Sequence, residues 1–228
     1  MKKIYFVTEG ITDQIVIAGL ARFWLGEEIE AIQLQPPQTQ NLFLSTPQLS
    51  QGWKGILAWC KDNELQGIRD EVLKRADCLF IHIDADVASD NDFKNPIFQQ
   101  PCPPASNACD WVRDEIISCF ENALPNNVVL CVPAQDLETW ILTALHPETA
   151  NEYAPIECRQ EPGALLIQRR GHKLIRRKDG KLKKNPLEYF RVLPLILKNW
   201  QHCTGGDSPH CPEALRFESE AKQGLQVL

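Results

Sequence analysis

Two apolar segments that run into acidic residues most constrain how this chain can fold. The first leads from Ile4 to Glu9, and the second leads from Leu79 to Asp84 and Asp86. Short runs rich in Ile, Val and Phe are typical of strands that are covered on both faces. Because side chains alternate along a strand, we expect Asp84 and Asp86 to point to the same side. Ligands of open α/β sheets bind outside the carboxyl ends of strands, so both segments predict acidic groups at that edge.

Strand-like and helix-like segments alternate along roughly the first 146 residues. The pattern predicts strands near residues 3–8, 29–34, 78–83 and 128–132, and helices near 13–24 (capped by Thr12), 53–64, 68–76, 106–124 and 136–145 (capped by Asp136). Residues 36–52 and 87–105 are expected to form loops. This alternation predicts an α/β fold, Rossmann-like, with about four mostly parallel strands flanked by helices. Residues 147–228 are less regular, and we expect a mainly helical, basic extension packed on a core formed by residues 1–146.

The composition indicates a globular chain. The sequence has 228 residues, of which 43% are hydrophobic, and no apolar run approaches the roughly 20 residues that span a bilayer. The N-terminus leads directly into a predicted strand without a signal-like apolar core, so we expect a cytoplasmic protein. In a reducing compartment the nine cysteines are expected to be thiols.

Basic residues are concentrated in one short stretch of an acidic chain. The net charge is −6, which argues against indiscriminate binding of nucleic acid, yet nine Lys or Arg residues lie between Gln168 and Lys184. A patch of this density is a plausible footprint for a phosphate backbone. The alternative is a solvated basic loop, since runs of charge are common on protein surfaces.

The acidic motifs resemble those of the Toprim domain. The carrying residues are Thr8-Glu9-Gly10 after the first predicted strand and Ile83-Asp84-Ala85-Asp86 after the third. Toprim domains occur in topoisomerases, primases, ribosomal-RNA maturases and overcoming-lysogenization-defect nucleases. The segment from Gln135 to Leu142 is similar to a Glu-x-Trp-Leu-Leu element of small Toprim-like proteins that are often linked to bacterial defence or mobile elements. The resemblance covers roughly residues 1–145.

This resemblance implies a Mg²⁺-dependent (or Mn²⁺-dependent) phosphodiesterase that acts on nucleic acid, most simply a nuclease. Glu9 would act as a general acid or base or as a metal ligand, and Asp84 and Asp86 would hold one or two ions. Glu138 is a further candidate catalytic residue or ligand, and Asp13 a further candidate ligand. Each has a structural alternative, since an acid near a helix N-terminus also interacts favourably with the helix dipole. Many Toprim domains place glycine or another acid after Asp-x-Asp, whereas Val87 stands here, so a second metal would depend on Asp90 or Asp92.

The same interpretation assigns contacts to the nucleic acid. The candidate residues are Lys54, Arg169, Arg170, Lys173, Arg176, Arg177 and Lys184. For Lys54 the sequence favours the alternative, an ordinary lysine on a helix surface. His82, on the predicted third strand, is expected to be a packed core histidine rather than a ligand. We also expect a partner ATPase, and we expect no association with a membrane.

Three other functions remain open at this point. A non-catalytic Toprim-like subunit, binding nucleic acid or a partner protein, would keep the acids without using a cation. A metal-dependent phosphatase or phosphotransferase for small molecules would not need the basic stretch. A flavodoxin-like signalling receiver also gathers acids at strand ends, although its acids are spaced differently along the chain.

The pairs His202-Cys203 and His210-Cys211 supply four candidate zinc ligands, but adjacent residues point apart, which disfavours a structural zinc site.

Overall fold

The protein forms two compact units in the computed structural model, which describes residues 1–36, 52–62, 65–90, 92–93, 102–121 and 123–226. The first unit comprises Met1–Ile83, Val112–Cys131 and Ser219–Leu228, and the second comprises Asp84–Trp111 and Val132–Glu218. Most of the two predicted loops, over residues 36–52 and 87–105, lies outside the described residues. The boundary near residue 146 stays a prediction.

A four-stranded parallel sheet organises the first unit. It contains β1 (Lys2–Val7), β2 (Ile29–Gln35), β3 (Cys78–His82) and β4 (Val128–Cys131), in the spatial order β2-β1-β3-β4. All three pairs of neighbouring strands are parallel, which confirms the predicted α/β fold. Phe6 of β1 lies opposite Phe80 of β3, and their stacked rings have centroids 5.6 Å apart. Both side chains are fully buried, as expected for strands that are covered on both faces.

The helices follow the predicted order with shifted ends. They are α1 (Ile11–Leu25), α2 (Trp53–Lys61), α3 (Gln66–Arg75), α4 (Ser106–Ser118), α5 (Leu137–Leu145), α6 (Pro147–Glu152), α7 (Pro162–Gln168), α8 (Pro186–Lys198), α9 (Gln201–Thr204) and α10 (Pro212–Gln226). The prediction that Thr12 caps the first helix is wrong, because α1 begins at Ile11 after Gly10. The prediction that Asp136 caps α5 is confirmed, since its side chain accepts a hydrogen bond from the Thr139 amide at 3.2 Å.

The second unit packs around Trp140 of α5. The Trp140 ring is fully buried, stacks on Phe217 at 5.7 Å and meets Trp200 edge to face at 5.9 Å. Its indole Nε1 donates to the carboxylate of Glu157 at 2.9 Å, and the backbone amides of Glu213 and Ala214 donate to the same carboxylate. Burial raises the pKa of Glu157 to about 7. These contacts hold the first turn of α10 against α5, and thereby fix the helix that begins at Asp136.

Two predictions about the cysteines and the membrane have structural outcomes. Cys102 and Cys158 form a disulfide across 56 residues of sequence, so the expectation that every cysteine is a thiol is wrong for this pair. The remaining seven cysteines are free, and six of them are buried. Within the described residues, the longest and most apolar helices fall short of what crossing a bilayer requires.

Two glycine-to-alanine substitutions give a matched test of packing in the first unit. A Cβ at Gly224 of α10 would lie 2.6 Å from the Val129 Cγ2 atom on β4, whereas a Cβ at Gly67 of α3 would meet no atom within 4 Å. We expect Gly224→Ala to lower the free energy of unfolding by ~1–3 kcal/mol, the usual cost of overpacking. We expect Gly67→Ala to raise it by ~0.5–1 kcal/mol because alanine favours a helix. Urea denaturation measures both values, and a shift of equal sign in the two variants would contradict this packing.

Candidate functional site

The predicted site residues are divided between the two units. Glu9, Asp13 and Lys54 belong to the first unit. Asp84, Asp86, Glu138 and the basic stretch belong to the second.

In the first unit, Glu9 lies in the bend between β1 and α1. A Cβ at Gly52 would lie 3.5 Å from the Glu9 Oε2 atom, so the carboxylate lies close to the backbone that precedes α2. Gly52 has φ 72°, a conformation that glycine adopts without strain. Asp13, in the first turn of α1, is 2% exposed and accepts a hydrogen bond from the Thr12 hydroxyl at 3.4 Å. The Lys54 amine lies 5.2 Å above the Trp53 ring, as in a surface cation–π pair.

In the second unit, backbone hydrogen bonds bring the acids after β3 next to those that begin α5. The Ala85 amide donates to the Pro133 carbonyl at 2.8 Å, and the Asp86 amide donates to the Gln135 carbonyl at 3.1 Å. The Asp84 carboxylate, which is almost buried, accepts from the Leu137 amide at 3.1 Å. The prediction that Asp84 and Asp86 share one face of a strand is wrong, because β3 ends at His82 and a 3₁₀ turn over Ala85–Ser89 follows. His82 itself is fully buried, consistent with its expected place in the core.

The Asp136 carboxyl is electrostatically perturbed by its surroundings. Burial raises the pKa of its carboxyl well above the ordinary value, and the neighbouring carboxylates of Glu138, Asp84 and Asp86 raise it further. Lys184 acts in the opposite direction and lowers it. From the sequence, Asp136 was interpreted as a helix cap, and it was not among the candidate site residues.

Glu138 is held by two neighbours deep in the second unit. Its carboxylate is 1% exposed, and its Oε1 atom accepts a hydrogen bond from the Tyr189 hydroxyl at 2.5 Å. Its Oε2 atom lies 2.9 Å from the Lys184 amine. The sequence placed Lys184 among the contacts to nucleic acid, and in the structure its ammonium group is engaged by Glu138. The catalytic or ligand role of Glu138 and the contact of Lys184 with nucleic acid both stay predictions.

The basic stretch contains a β-hairpin that the sequence analysis missed. β5 (Ile175–Lys178) pairs antiparallel with β6 (Lys181–Lys184) through a two-residue turn. Asp179 and Gly180 have φ of 52° and 75°, as a type I′ turn requires. The Asp-Gly pair is itself a strong hairpin signal, and it could have identified the turn.

A polar pocket of about 380 Å³ lies where this hairpin meets the acids. Asp86 and Asp136 line it from one side, and Arg177 and Gly180 of the hairpin line it from another. Glu161 also lines the pocket, with φ 53°, a left-handed conformation that is uncommon for residues other than glycine. No sequence motif pointed to Glu161. The pocket thus brings three carboxylates and one guanidinium group together within the second unit.

The other predicted basic residues lie at different places in the second unit. Arg169 donates to the Glu152 carboxylate at 3.1 Å. Arg170 and Lys173 are exposed, and the Lys173 backbone amide donates to Glu188 at 2.8 Å. Arg176 is exposed on β5.

The His-Cys pairs contribute to packing in the second unit. Cys203 and Cys211 are buried, and their thiols are hydrogen-bonded to each other. The Cys203 thiol also donates to the Trp140 carbonyl. Burial raises the pKa of Cys203 well above its ordinary value. The His202 Nδ1 atom lies 3.2 Å from the Ala144 carbonyl oxygen. Across the described part of the chain, no three His, Cys, Asp or Glu side chains form a group suited to hold a metal ion.

In comparisons with known proteins, no family model, no curated protein and no solved structure matches this chain. The resemblance to Toprim domains therefore stays an interpretation of short motifs.

Replacing Asp136 by asparagine tests the electrostatic strain of the acidic cluster. Because the folded pKa is raised, the folded state binds more protons than the unfolded state between the unfolded pKa, near 4, and the folded pKa. Stability is therefore lost as pH rises through this window. Asparagine is uncharged and still caps a helix, so we expect Asp136→Asn to melt at a higher temperature than wild type at pH 7.5. The difference should shrink toward pH 4.

Two further variants control for the loss of the cap and of a carboxylate elsewhere. The free energy of unfolding of Asp136→Ala should be lower by about 1 kcal/mol because the helix cap is missing. Asp207→Asn, in an exposed loop, should leave the melting temperature unchanged at every pH. A lower melting temperature for Asp136→Asn at pH 7.5 would show that the cluster is not strained.

Proposed function

We propose that this protein is a Mg²⁺-dependent phosphodiesterase that cleaves nucleic acid. The supporting observation is the pocket of the second unit, which is lined by Asp86, Asp136 and Arg177 of the basic hairpin. Cleavage of a phosphodiester requires that its negative charge be neutralised and that a water molecule be oriented in line with the leaving group. A pocket with carboxylates and a guanidinium group is suited to these tasks.

The residues of this pocket fit a magnesium ion. Mg²⁺ keeps several waters and is commonly held by one or two carboxylates together with phosphate oxygens of the substrate. Asp86 and Asp136 supply two carboxylates, which is enough for this mode even without a third ligand from the protein. Burial and the neighbouring carboxylates raise the pKa of Asp136, and a divalent cation would relieve the part that comes from like charge. When bound, such an ion would supply Lewis-acid activation of the phosphate and would lower the pKa of a bound water.

The protein groups around the pocket have distinct roles in this proposal. Arg177 would bind phosphate oxygens, since guanidinium groups match phosphate geometry in a bidentate manner. Asp84 would fix the loop that carries Asp86, through its bond to the Leu137 amide. Glu138 would hold Lys184 and thereby the second strand of the hairpin.

Several parts of the proposal rest on the sequence alone. Catalytic or ligand roles for Glu9, Asp84 and Glu138, and a ligand role for Asp13, come from the sequence interpretation and its resemblance to Toprim domains. The contacts from Lys54, a partner ATPase and a cytoplasmic location belong to the same group of predictions.

A non-catalytic protein that binds nucleic acid or a partner is the second candidate. Among the described residues, no three potential ligands form a metal-binding group, and this observation favours the second candidate. The two proposals differ in one property, because only the enzyme requires a divalent cation.

Cleavage of labelled single- and double-stranded DNA and RNA by purified protein with Mg²⁺ or Mn²⁺ tests the enzyme. We expect cleavage by wild type and a loss of at least about 100-fold in Asp86→Asn and Asp136→Asn, the usual scale for removing one electrostatic group from an active site. Asp207→Asn, which changes an exposed loop, is the matched control and should retain activity. Glu9→Gln tests the role that the sequence assigns to the first unit.

The alternative outcome is equally specific. If no substrate is cleaved and calorimetry detects no Mg²⁺ binding, while oligonucleotides still bind, the enzyme proposal fails and the non-catalytic one replaces it. If activity survives in both pocket variants, the reaction does not use this pocket.

A further inference from the structure

The two faces of the β5–β6 hairpin have different surroundings. In the register of the hairpin, Ile175 lies opposite Lys184, and Arg177 lies opposite Leu182. These four side chains share one face because side chains alternate along a strand. Ile175 is buried, Lys184 reaches Glu138, and Arg177 and Leu182 line the pocket. We call this the inner face.

The opposite face carries four cations and no other side chain. Arg176 lies opposite Lys183, and Lys178 lies opposite Lys181. All four are exposed. We call this set the outer face.

Two like-charged pairs therefore lie side by side on the outer face. Directly opposite residues of an antiparallel pair have Cβ atoms about 4.5–5.5 Å apart, and like charges in these positions are destabilising. In the part of the chain that the structure describes, none of the four cations is in an ion pair with a carboxylate. The acid of the hairpin, Asp179, lies in the turn, beyond the two pairs. The outer face thus carries a repulsion that no carboxylate of the described residues neutralises through an ion pair.

The hairpin holds these charges in place. Its turn has the type I′ conformation at Asp179 and Gly180, and the Asn185 amide donates to the Leu174 carbonyl at 2.8 Å where the hairpin ends. On the inner face, Gly163 of α7 packs so closely that an added Cβ would lie 3.0 Å from the Ile175 Cδ1 atom. The four cations are therefore held close together on a hairpin that is fixed by its turn and by packing against α7. This arrangement suits several closely spaced anions.

We infer that the outer face binds the phosphodiester backbone of a nucleic-acid chain that extends beyond the pocket. The substrate would then be a polymer rather than a small phosphate ester. Four adjacent cations need several closely spaced anions, which a nucleic-acid backbone supplies and a single phosphate does not. The outer face has no apolar or aromatic side chain to insert into a bilayer, which favours nucleic acid over an anionic lipid surface. This inference rests on the proposed function only for its view of the pocket as the reaction site.

Binding measured in EDTA tests the outer face independently of cleavage. The outer-face variant replaces Arg176, Lys178, Lys181 and Lys183 by glutamine. The control variant replaces Lys3, Lys74, Arg75 and Lys198, all exposed, by glutamine and changes the net charge equally. Fluorescence anisotropy of labelled oligonucleotides over a range of salt concentrations gives the slope of log K against log salt.

We expect the magnitude of this slope to fall by roughly 3 to 4 in the outer-face variant, as for the loss of four phosphate contacts at about 0.7 to 0.9 each. The double variant Lys178→Gln/Lys181→Gln should lose about half as much, and it provides a second test if the fourfold variant folds poorly. The control variant should keep the wild-type slope. A dinucleotide should displace the labelled oligonucleotide only at far higher concentration than an unlabelled oligonucleotide does.

Different results separate this inference from the proposed function. A wild-type slope in the outer-face variant, or equal competition by the dinucleotide, would overturn the inference even if the protein cleaves phosphodiesters. Tighter binding to phosphatidylserine vesicles than to oligonucleotides, lost in the outer-face variant, would also overturn it. Binding that depends on the outer face in a protein that cleaves nothing would support the inference and reject the enzyme.

Discussion

The buried carboxylate of Glu138 is the constraint on which the rest of the second unit depends. A carboxylate that is 1% exposed cannot remain without partners, because the loss of hydration costs several kcal/mol. Tyr189 from α8 and Lys184 from β6 provide those partners, so both elements must meet α5 at this point. Asp136 caps the same helix two residues earlier. The positions of the acidic cluster and of the hairpin are therefore coupled through a single buried charge.

Much of the first unit was predictable because its signals are local. The strands are continuous apolar runs covered on both faces, and all four were located within one or two residues. Helix ends were less predictable, since α2 ends at Lys61 and α4 at Ser118 without a glycine to mark the end. The cap at Asp136 was recognised because an aspartate directly before an apolar helix is a strong local signal. Two of its acidic neighbours, Asp84 and Asp86, were not linked to it, because they come from a loop about 50 residues earlier in the chain.

The hairpin and the disulfide were missed for different physical reasons. Six of the eight strand residues in β5 and β6 are Lys or Arg, so the alternation that marks a half-buried strand is visible only at Ile175 and Leu182. The disulfide joins Cys102 to Cys158 across 56 residues, and pairing at that distance depends on tertiary structure. The expected common face of Asp84 and Asp86 failed because β3 ends at His82, before either aspartate, and a 3₁₀ turn follows. In each case the deciding contact lies beyond the range of local sequence patterns.

The second unit contains one cluster of negative charges and one cluster of positive charges. Repulsion within each cluster opposes folding. Burial and the surrounding carboxylates raise the pKa of Asp136, and the outer face of the hairpin places cation opposite cation. Lys184, on the inner face of the hairpin, reaches Glu138, whereas the four outer-face cations form no ion pair with a carboxylate among the described residues. A ligand that combines a divalent cation with a chain of phosphates would relieve the repulsion in both clusters at once. The cation would bind the carboxylates, and the phosphates would bind the outer face of the hairpin. Strain that one class of ligand relieves at two places is a stronger argument for that ligand than either cluster alone.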